Sequence, residues 1–205
     1  MARIQIVFHS LYGHVWRMAE AVAAGAKECP GTQVEISQVK ELLSDDILEK
    51  MHAREARKQF AHIPLADSQH LVEADAIIIG SPTRFGSVTA SMQNFLDATG
   101  SLWATGKLIG KIGSGFTSTA SQHGGQETTL LGLYTFFIHQ GMMICGAPYS
   151  IQELLNLSEI TGGSPYGATT IAGDHGQRLP SENELTIARK QGKHVAEMTA
   201  KLTRV

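Results

Sequence analysis

The chain has 205 residues, a net charge of −2 at neutral pH and an apolar share of 42%. This length fits one domain with a substantial core, so the predicted domain is the whole chain, 1–205. The near-neutral charge excludes most nucleic-acid partners, because binding to a phosphate backbone requires clustered Lys and Arg. We find no cleavable signal peptide and no apolar run long enough to span a membrane, so a cytoplasmic protein without membrane insertion is expected.

The first half of the chain alternates strands and helices until a charged segment interrupts the pattern. Residues 4–8 are an apolar run rich in β-branched side chains, which is typical of a buried parallel strand. An apolar stripe predicts a helix over 16–26, and a second strand is predicted over 34–36. Residues 41–66 carry crowded charges of both signs, and we interpret them as an exposed, solvated insertion with a helical turn or two.

The second half continues the alternation up to a long glycine-rich stretch over 146–176. The helix predicted over 126–140 is apolar nearly all round, so we expect it to be buried. Residues Ser181 and Glu184 form a capping box, which predicts a C-terminal helix reaching about Leu202. The other predicted elements are strands over 75–80, 109–116 and 142–145 and a helix over 88–98.

This regular alternation predicts an α/β fold of three layers, in which a five-stranded parallel sheet has helices on both faces. Ligands of such sheets bind at the carboxyl ends of the strands, where the strand order reverses. The loops after the first, third and fourth strands are therefore the first candidates for a binding site.

The loop after the first strand combines hydroxyls and a glycine and leads into a helix. The amino terminus of a helix offers unpaired N–H groups and a partial positive charge, which suit a phosphate. The loop has neither the lysine of a Walker A motif nor a G-x-G-x-x-G motif, so it fits a mononucleotide. An ordinary turn with a serine cap is the alternative. The candidate residues are Ser10, Leu11, Tyr12, Gly13, His14 and Val15.

Two further loops supply donors and an aromatic ring at neighbouring strand ends. After the third strand, Thr83, Arg84 and Phe85 can border a planar ligand, unless Phe85 packs into the core. After the fourth strand, hydroxyls and glycines again precede a helix, and the single histidine lacks partners for a metal site. Three such loops together predict a crevice for FMN. The fourth-strand candidates are Ser118, Thr119, Ala120, Ser121, Gln122, His123 and Gly124.

Several motifs resemble those of the WrbA family of NAD(P)H:quinone oxidoreductases, in the same order and spacing over nearly the whole chain. The resemblance implies a flavodoxin-like fold, non-covalent FMN, NADH or NADPH as co-substrate, a two-electron reduction of quinones and a homotetramer. A single-electron carrier and a non-enzymatic scaffold of the same shape remain the rival interpretations. The motifs are Ser10-Leu11-Tyr12-Gly13-His14, Ser81-Pro82-Thr83-Arg84-Phe85-Gly86, Gly124-Gly125-Gln126-Glu127-Thr128 and Gly163-Ser164-Pro165-Tyr166-Gly167-Ala168-Thr169-Thr170.

The resemblance also implies roles for individual residues. Residues 10–15 and 118–124 would hold the phosphate and ribityl chain, and residues 83–85 would flank the isoalloxazine. His139, which ends the apolar helix, would be the catalytic residue near the flavin, although a lone histidine is more often a core residue. The substrate-binding candidates are Tyr12, Trp103, which we place in a loop, and Tyr149.

Two features of the sequence qualify these roles. Residues 120–123 are one residue longer than in some relatives, which leaves the contacts of that loop open. Apolar surface for subunit contacts is expected within 146–171.

Overall fold

The computed structural model describes residues 1–203, so the last two residues of the predicted domain lie outside the described residues. All strand pairs within the sheet are parallel. The strands are β1 (Ala2–Phe8), β2 (Thr32–Gln38), β3 (Ala76–Pro82), β4 (Ile112–Thr119), β5 (Met143–Ile144) and β6 (Thr169–Ile171).

Helices connect the strands and close the chain. Two 3₁₀ segments, Ser68–Glu73 and Gln152–Leu155, precede β3 and β6. The capping box predicted at Ser181 and Glu184 is present at the start of the last helix. The helices are α1 (His14–Lys27), α2 (Asp45–Lys50), α3 (Ala53–Lys58), α4 (Ala90–Asp97), α5 (Gly100–Ala104), α6 (Gln126–His139) and α7 (Glu182–Leu202).

The strand order is β2-β1-β3-β4-β5, and β6 pairs with β4 beyond the end of the short β5. The chain therefore reverses direction across the sheet between β1 and β3, which is where a doubly wound sheet binds its ligand. The predicted parallel sheet is confirmed, and β6 adds a sixth strand within the glycine-rich stretch.

The two faces of the sheet carry separate apolar cores. Ile4 and Ile6 of β1 point to one face, where they pack against α1 and α7. Val7 points to the other face, which α4 and α6 cover. This alternation follows from the two-residue period of a strand, and it confirms the prediction of helices on both faces.

Two sequence expectations were wrong in detail. Helix α6 is not buried all round, because Leu131 and Ile138 are exposed, the latter by 62%. Trp103 lies within the short helix α5 rather than in a loop, and its ring is exposed.

Among residues 1–203, no helix is long and apolar enough to cross a membrane.

The insertion, residues 41–66, is only partly the solvated segment that its charges suggested. It forms α2 and α3, and its Phe60 is fully buried against Phe8 and Trp16. The side chain of Gln38 donates to the carbonyl groups of Phe60 and Ile63, which ties the end of the insertion to β2. The insertion therefore packs on the carboxyl edge of the sheet.

Candidate functional site

A cavity of about 600 Å³ lies at the carboxyl ends of β1, β3 and β4. This volume is in the range of ordinary small-molecule sites. The cavity is lined by residues 82–84 and 118–120, by most of the loop after β1, by residues 51–52 of the insertion and by residues 172–176. The structure thus brings the three predicted loops together around one space.

The β1 loop, residues 10–15, leads into α1 with its backbone donors free. None of the hydrogen bonds within residues 1–203 uses the amides of Leu11, Tyr12, His14 or Val15 as donors. Gly13 takes a left-handed φ of 92° immediately before the helix. The loop therefore presents several unpaired N–H groups at the positive end of a helix dipole, as an anion site requires.

The hydroxyl groups of the β1 loop serve mainly to shape it. Ser10 Oγ accepts a hydrogen bond of 3.1 Å from the amide of Gly13. The Tyr12 hydroxyl donates to the carbonyl of Met51 at 3.0 Å, and the ring remains partly exposed at the cavity. Backbone amides are consequently the principal donors that this loop offers to a ligand.

His14 is the buried polar side chain that faces this cavity without a partner for Nε2. Burial lowers the pKa of His14 below its ordinary value, although its contacts with the backbone of Arg178 and Gly176 act in the opposite direction. The imidazole is therefore neutral at physiological pH. A neutral ring with an unpartnered nitrogen can donate to or accept from a bound ligand.

The loop after β3 forms a tight two-residue hairpin. Arg84 and Ser87 exchange backbone hydrogen bonds of 2.7 and 3.0 Å around Phe85 and Gly86, which have φ values of 53° and 81°. Two positive φ angles define a type I′ turn, and they are unusual for phenylalanine. The turn holds the Phe85 ring fully exposed rather than in the core, while Thr83 and Arg84 line the cavity.

The loop after β4 enters the cavity at only one end. Ser118, Thr119 and Ala120 line the cavity, and Ser121, Gln122, His123 and Gly124 turn away into solvent. Thr119 Oγ1 donates to the carbonyl of Ser121 at 2.7 Å and accepts from Gln126 Nε2 at 3.1 Å. The exposed half of this loop is therefore held by local bonds alone.

Besides Phe85 and residues 121–124, three more predicted site residues lie outside the cavity of a single chain. His139 is exposed at the end of α6, beside a shallow depression with Ser87 and Gln93. Trp103 on α5 and Tyr149 after β5 are also exposed. The catalytic role of His139 and the substrate roles of Trp103 and Tyr149 stay predictions.

Sequence reasoning missed two lining segments. Met51 and His52 come from the insertion, which its charges marked as solvated. Residues 172–176 follow β6 and lie against the β4 loop, because Ala172 and Gly173 donate to the carbonyls of Thr119 and Ala120. The glycines at 173 and 176 in this polar stretch were the only available signal.

The arrangement fits the predicted cofactor. The unpaired amides of the β1 loop and Nε2 of His14 match the oxygen atoms of a phosphate, and the α1 dipole favours its charge. Tyr12, Thr83 and Arg84 line the same cavity, and an aromatic ring and a guanidinium are groups that can border a planar ring system. No group of three or more His, Cys, Asp or Glu in residues 1–203 has the geometry to hold a metal ion.

Comparison with known proteins agrees with this geometry. The family model of NADPH-dependent FMN reductases matches residues 9–153. The chain belongs to the NADPH-dependent FMN reductase family. This membership confirms the predicted resemblance, the flavin-dependent oxidoreductase class, and FMN with a nicotinamide nucleotide as cofactors.

Individual relatives are similar to this chain over nearly their whole length. An NAD(P)H dehydrogenase (quinone) of Trichlorobacter lovleyi is 59% identical and covers 99% of this chain and 100% of that protein. One from Aromatoleum aromaticum is 54% identical, with 98% of both chains covered.

Solved structures show which known fold this chain shares. A WrbA-like flavodoxin from Agrobacterium tumefaciens has a TM-score of 0.64 and 27% identity, over 98% of this chain and 99% of that one. Flavodoxin 1 of Bacillus cereus has a TM-score of 0.61 at 15% identity, over 96% of this chain and 98% of that one, which shows the fold alone. The predicted flavodoxin-like fold is confirmed.

Proposed function

We propose that the protein reduces quinones to hydroquinones by two electrons, with NADH or NADPH as donor and FMN as bound cofactor. The observation that carries this proposal is that relatives 54–59% identical over 97–99% of the chain are named NAD(P)H dehydrogenase (quinone). The carboxyl-edge cavity supports it, because its free donors suit a mononucleotide phosphate.

Each part of the cavity has a definite task in this proposal. The β1 loop and the start of α1 bind the phosphate, with Nε2 of His14 beside it. Ser118 and Thr119 border the ribityl chain, and Thr83 and Arg84 border the ring system. Bound FMN supplies the chemistry, which is hydride transfer between the nicotinamide and the quinone.

The proposal includes a ping-pong order, in which the nicotinamide leaves before the quinone enters. Both planar substrates would enter the same cavity, which is bordered by one partly exposed aromatic ring, that of Tyr12. The protein has to hold the reacting rings at a separation on the order of 3–3.5 Å. Two planar substrates cannot occupy that position at once, so they must alternate.

The proposal also includes a homotetramer located in the cytoplasm. Ile138 on α6 is exposed, and so are Met143 and Ile144 on the edge strand β5, which suits burial between copies. Neighbouring copies would then bring His139, Trp103 or Tyr149 to a cavity, where His139 or Tyr149 steadies the charge that develops on the quinol oxygen. Sedimentation velocity tests the tetramer, and fractionation of cells that produce the tagged protein tests the location.

The decisive experiment measures initial rates over a matrix of NADPH and benzoquinone concentrations with the FMN-loaded protein. We expect turnover that requires FMN and parallel lines in double-reciprocal plots. Absence of NADPH oxidation in the presence of benzoquinone would reject quinone reduction. Intersecting lines would reject the ping-pong order and leave the overall activity in place.

Substitution of Trp103 by alanine tests the proposed contribution of exposed aromatic residues. We expect the KM for benzoquinone to rise several-fold while FMN affinity stays constant. The reason is that stacking of a planar ring on an aromatic side chain contributes about 1–3 kcal/mol. Thr105→Ala, on the same exposed surface after α5, is the control. Equal quinone KM values in all three proteins would remove Trp103 from the proposal.

A further inference from the structure

The insertion is joined to the β1 loop through a buried carboxylate. The Glu41 side chain is only 8% exposed, and its Oε2 lies 3.0 Å from His9 Nε2 and 3.4 Å from Arg57 Nη1. Its Oε1 accepts from Ser91 Oγ at 3.0 Å. An ionised carboxylate only accepts hydrogen bonds, so His9 must donate through Nε2. Glu41 therefore joins the insertion to the residue that follows β1 and to α4.

Arg57 extends this connection to the backbone of the β1 loop. Its Nη1 donates to the carbonyl of Ser10 at 2.7 Å, and its guanidinium lies 5.5 Å from the centre of the buried Phe60 ring. The side chain is 18% exposed, so both contacts are shielded from water. Arg57 is consequently fixed by a ring on one side and by Glu41 and Ser10 on the other.

The contact with Ser10 has a geometric consequence for the next amide. The peptide bond between Ser10 and Leu11 is trans, as are all the peptide bonds described. In a trans peptide the C=O and the following N–H point in opposite directions. Holding the Ser10 carbonyl toward Arg57 therefore directs the Leu11 amide away from the insertion, and Leu11 lines the cavity.

Two further contacts hold the same loop from the insertion. The Leu11 side chain is buried in a small apolar cluster with Leu48 and Ala53. The Tyr12 hydroxyl donates to the carbonyl of Met51. One side of the β1 loop is thus packed on the insertion, while the Leu11 amide points away from it.

We propose that His9, Glu41 and Arg57 are positioning residues that keep the β1 loop in the conformation that receives the FMN phosphate. This proposal rests on the proposed function, since it takes FMN as the ligand. Arg57 contacts the β1 loop directly, whereas the network reaches toward the end of β3 only through His9, whose Nδ1 lies 2.9 Å from Thr89 Oγ1. The effect of the network should therefore appear in binding of the phosphate and not in binding of the flavin ring.

The experiment compares FMN with riboflavin, which has the same ring and ribityl chain and no phosphate. Dissociation constants for both are measured by quenching of flavin fluorescence, with wild type, Arg57→Gln, Arg57→Lys and Glu41→Gln. Arg54→Gln is the matched control, because Arg54 lies on the same helix in an exposed pair with Glu49. Circular dichroism establishes that each apoprotein is folded.

We expect Arg57→Gln and Glu41→Gln to raise the FMN dissociation constant about tenfold, which corresponds to the loss of one charge-assisted hydrogen bond. Riboflavin affinity should change by less than about twofold, since the loss acts through the phosphate. Arg57→Lys should recover part of the FMN affinity, because a lysine reaches one of the two acceptors. Arg54→Gln should match wild type with both ligands, because exposed pairs contribute little.

Three results would overturn the positioning role. The first is unchanged FMN affinity in Arg57→Gln and Glu41→Gln. The second is an equal loss of FMN and riboflavin affinity, which would reduce the network to general support of the cavity. The third is failure of both variants to fold, which would assign the network to the stability of the fold. Absence of FMN binding by wild type would instead reject the proposed function, and this role with it.

Discussion

Helices α1 and α6 begin in the same way and lie in different surroundings. Each has 14 residues, and each follows a glycine with a left-handed φ, 92° at Gly13 and 100° at Gly125, without a side-chain cap. The β1 loop is packed against the insertion by bonds that span 39 and 47 residues. Residues 121–124 of the β4 loop are exposed and held by bonds that span two or three residues, while the start of that loop accepts from Ala172 and Gly173.

This difference predicts that the β1 loop is preorganised for a ligand and that residues 121–124 lose more conformational freedom when one binds. Free amides fixed before binding cost no conformational entropy when the ligand arrives, whereas exposed segments lose freedom at that step. The β1 loop is therefore expected to determine affinity for the phosphate. The β4 loop is expected to adapt to the rest of the cofactor.

Of the changes that test this comparison, removal of the Glu41 charge should have the largest effect on the free energy of unfolding. Burial raises the pKa of Glu41, but hydrogen bonds from His9, Leu43 and Ser91 and the charge of His9 outweigh it and lower the pKa to about 2. Its stabilisation is therefore present above the ordinary value of 4.5 and is lost as the pH falls from there toward 2. A shift of this size corresponds to about 3 kcal/mol.

Urea unfolding at pH 7 and pH 3 tests this expectation. Glu41→Gln should lower the free energy of unfolding by about 3 kcal/mol at pH 7, and by much less at pH 3. Glu127→Gln, in the exposed first turn of α6, should lose less than about 1 kcal/mol. Equal losses in the two variants would mean that the two helix entrances are supported alike.

Substitution of the two glycines that precede α1 and α6 by alanine should destabilise the α6 entrance more than the α1 entrance, which is the opposite order from the charge removal above. A Cβ at Gly125 would lie 2.9 Å from Gly86 Cα, whereas a Cβ at Gly13 would meet only Trp16 at 3.7 Å. We expect Gly125→Ala to lower the free energy of unfolding by about 2–3 kcal/mol and Gly13→Ala by about 1–2 kcal/mol. Thermal unfolding measures both, and a greater loss for Gly13→Ala would contradict the close contact between the β3 and β4 loops.

The buried His14 should make stability depend on pH near neutrality. Its pKa is lowered in the folded protein, chiefly by burial, so the unfolded chain binds the proton more readily. The free energy of unfolding is therefore independent of His14 titration well above the ordinary value of 6.5, and it decreases as the pH falls below that value. The slope is at most about 1.4 kcal/mol per pH unit.

Unfolding of wild type and two variants between pH 7.5 and 5.5 isolates this contribution. His14→Gln should show a smaller decrease in unfolding free energy than wild type. His123→Gln, in the exposed β4 loop, should decrease as wild type does. His194 also has a lowered pKa, caused by burial, and its contribution cancels in the comparison. Identical profiles for all three proteins would exclude His14 as the titrating group.

The smallest effects should come from the loop hydroxyls. Ser10→Ala removes the acceptor for the Gly13 amide and should cost about 1 kcal/mol of unfolding free energy. Ser121→Ala, at an exposed position of the β4 loop, should stay within about 0.5 kcal/mol of wild type. Chemical denaturation distinguishes the two, and a neutral Ser10→Ala would show that the loop is held by the insertion alone.

The sheet and its ligand-binding edge were predictable because their signals are local. Residues 4–8 and 75–80 are mostly apolar and rich in isoleucine and valine, and each occurs as a strand within one or two residues of the predicted bounds. The capping box at Ser181 is a pattern of four residues. The short β6 escaped prediction because three residues between glycines have no periodicity to read.

The contribution of the insertion was not predictable from composition. Glu41 and Arg57 look like surface charges in the sequence, and they become buried only because they pair with each other and with His9 and Ser10. That pairing joins positions far apart in the chain. The exposed face of α6 was unpredictable for a related reason. The sequence of a helix that is apolar all round does not show which of its sides is covered by other elements.

The bond between Arg57 and Ser10 also makes the insertion a reporter of ligand binding. A ligand that stabilises the β1 loop stabilises the docked insertion by the same free energy, because thermodynamic linkage is reciprocal. Lys58 is exposed, lies next to Arg57 and does not line the cavity. Trypsin cleavage at Lys58 should therefore slow when FMN binds, so the lifetime of this peptide bond measures how much of the protein carries its cofactor.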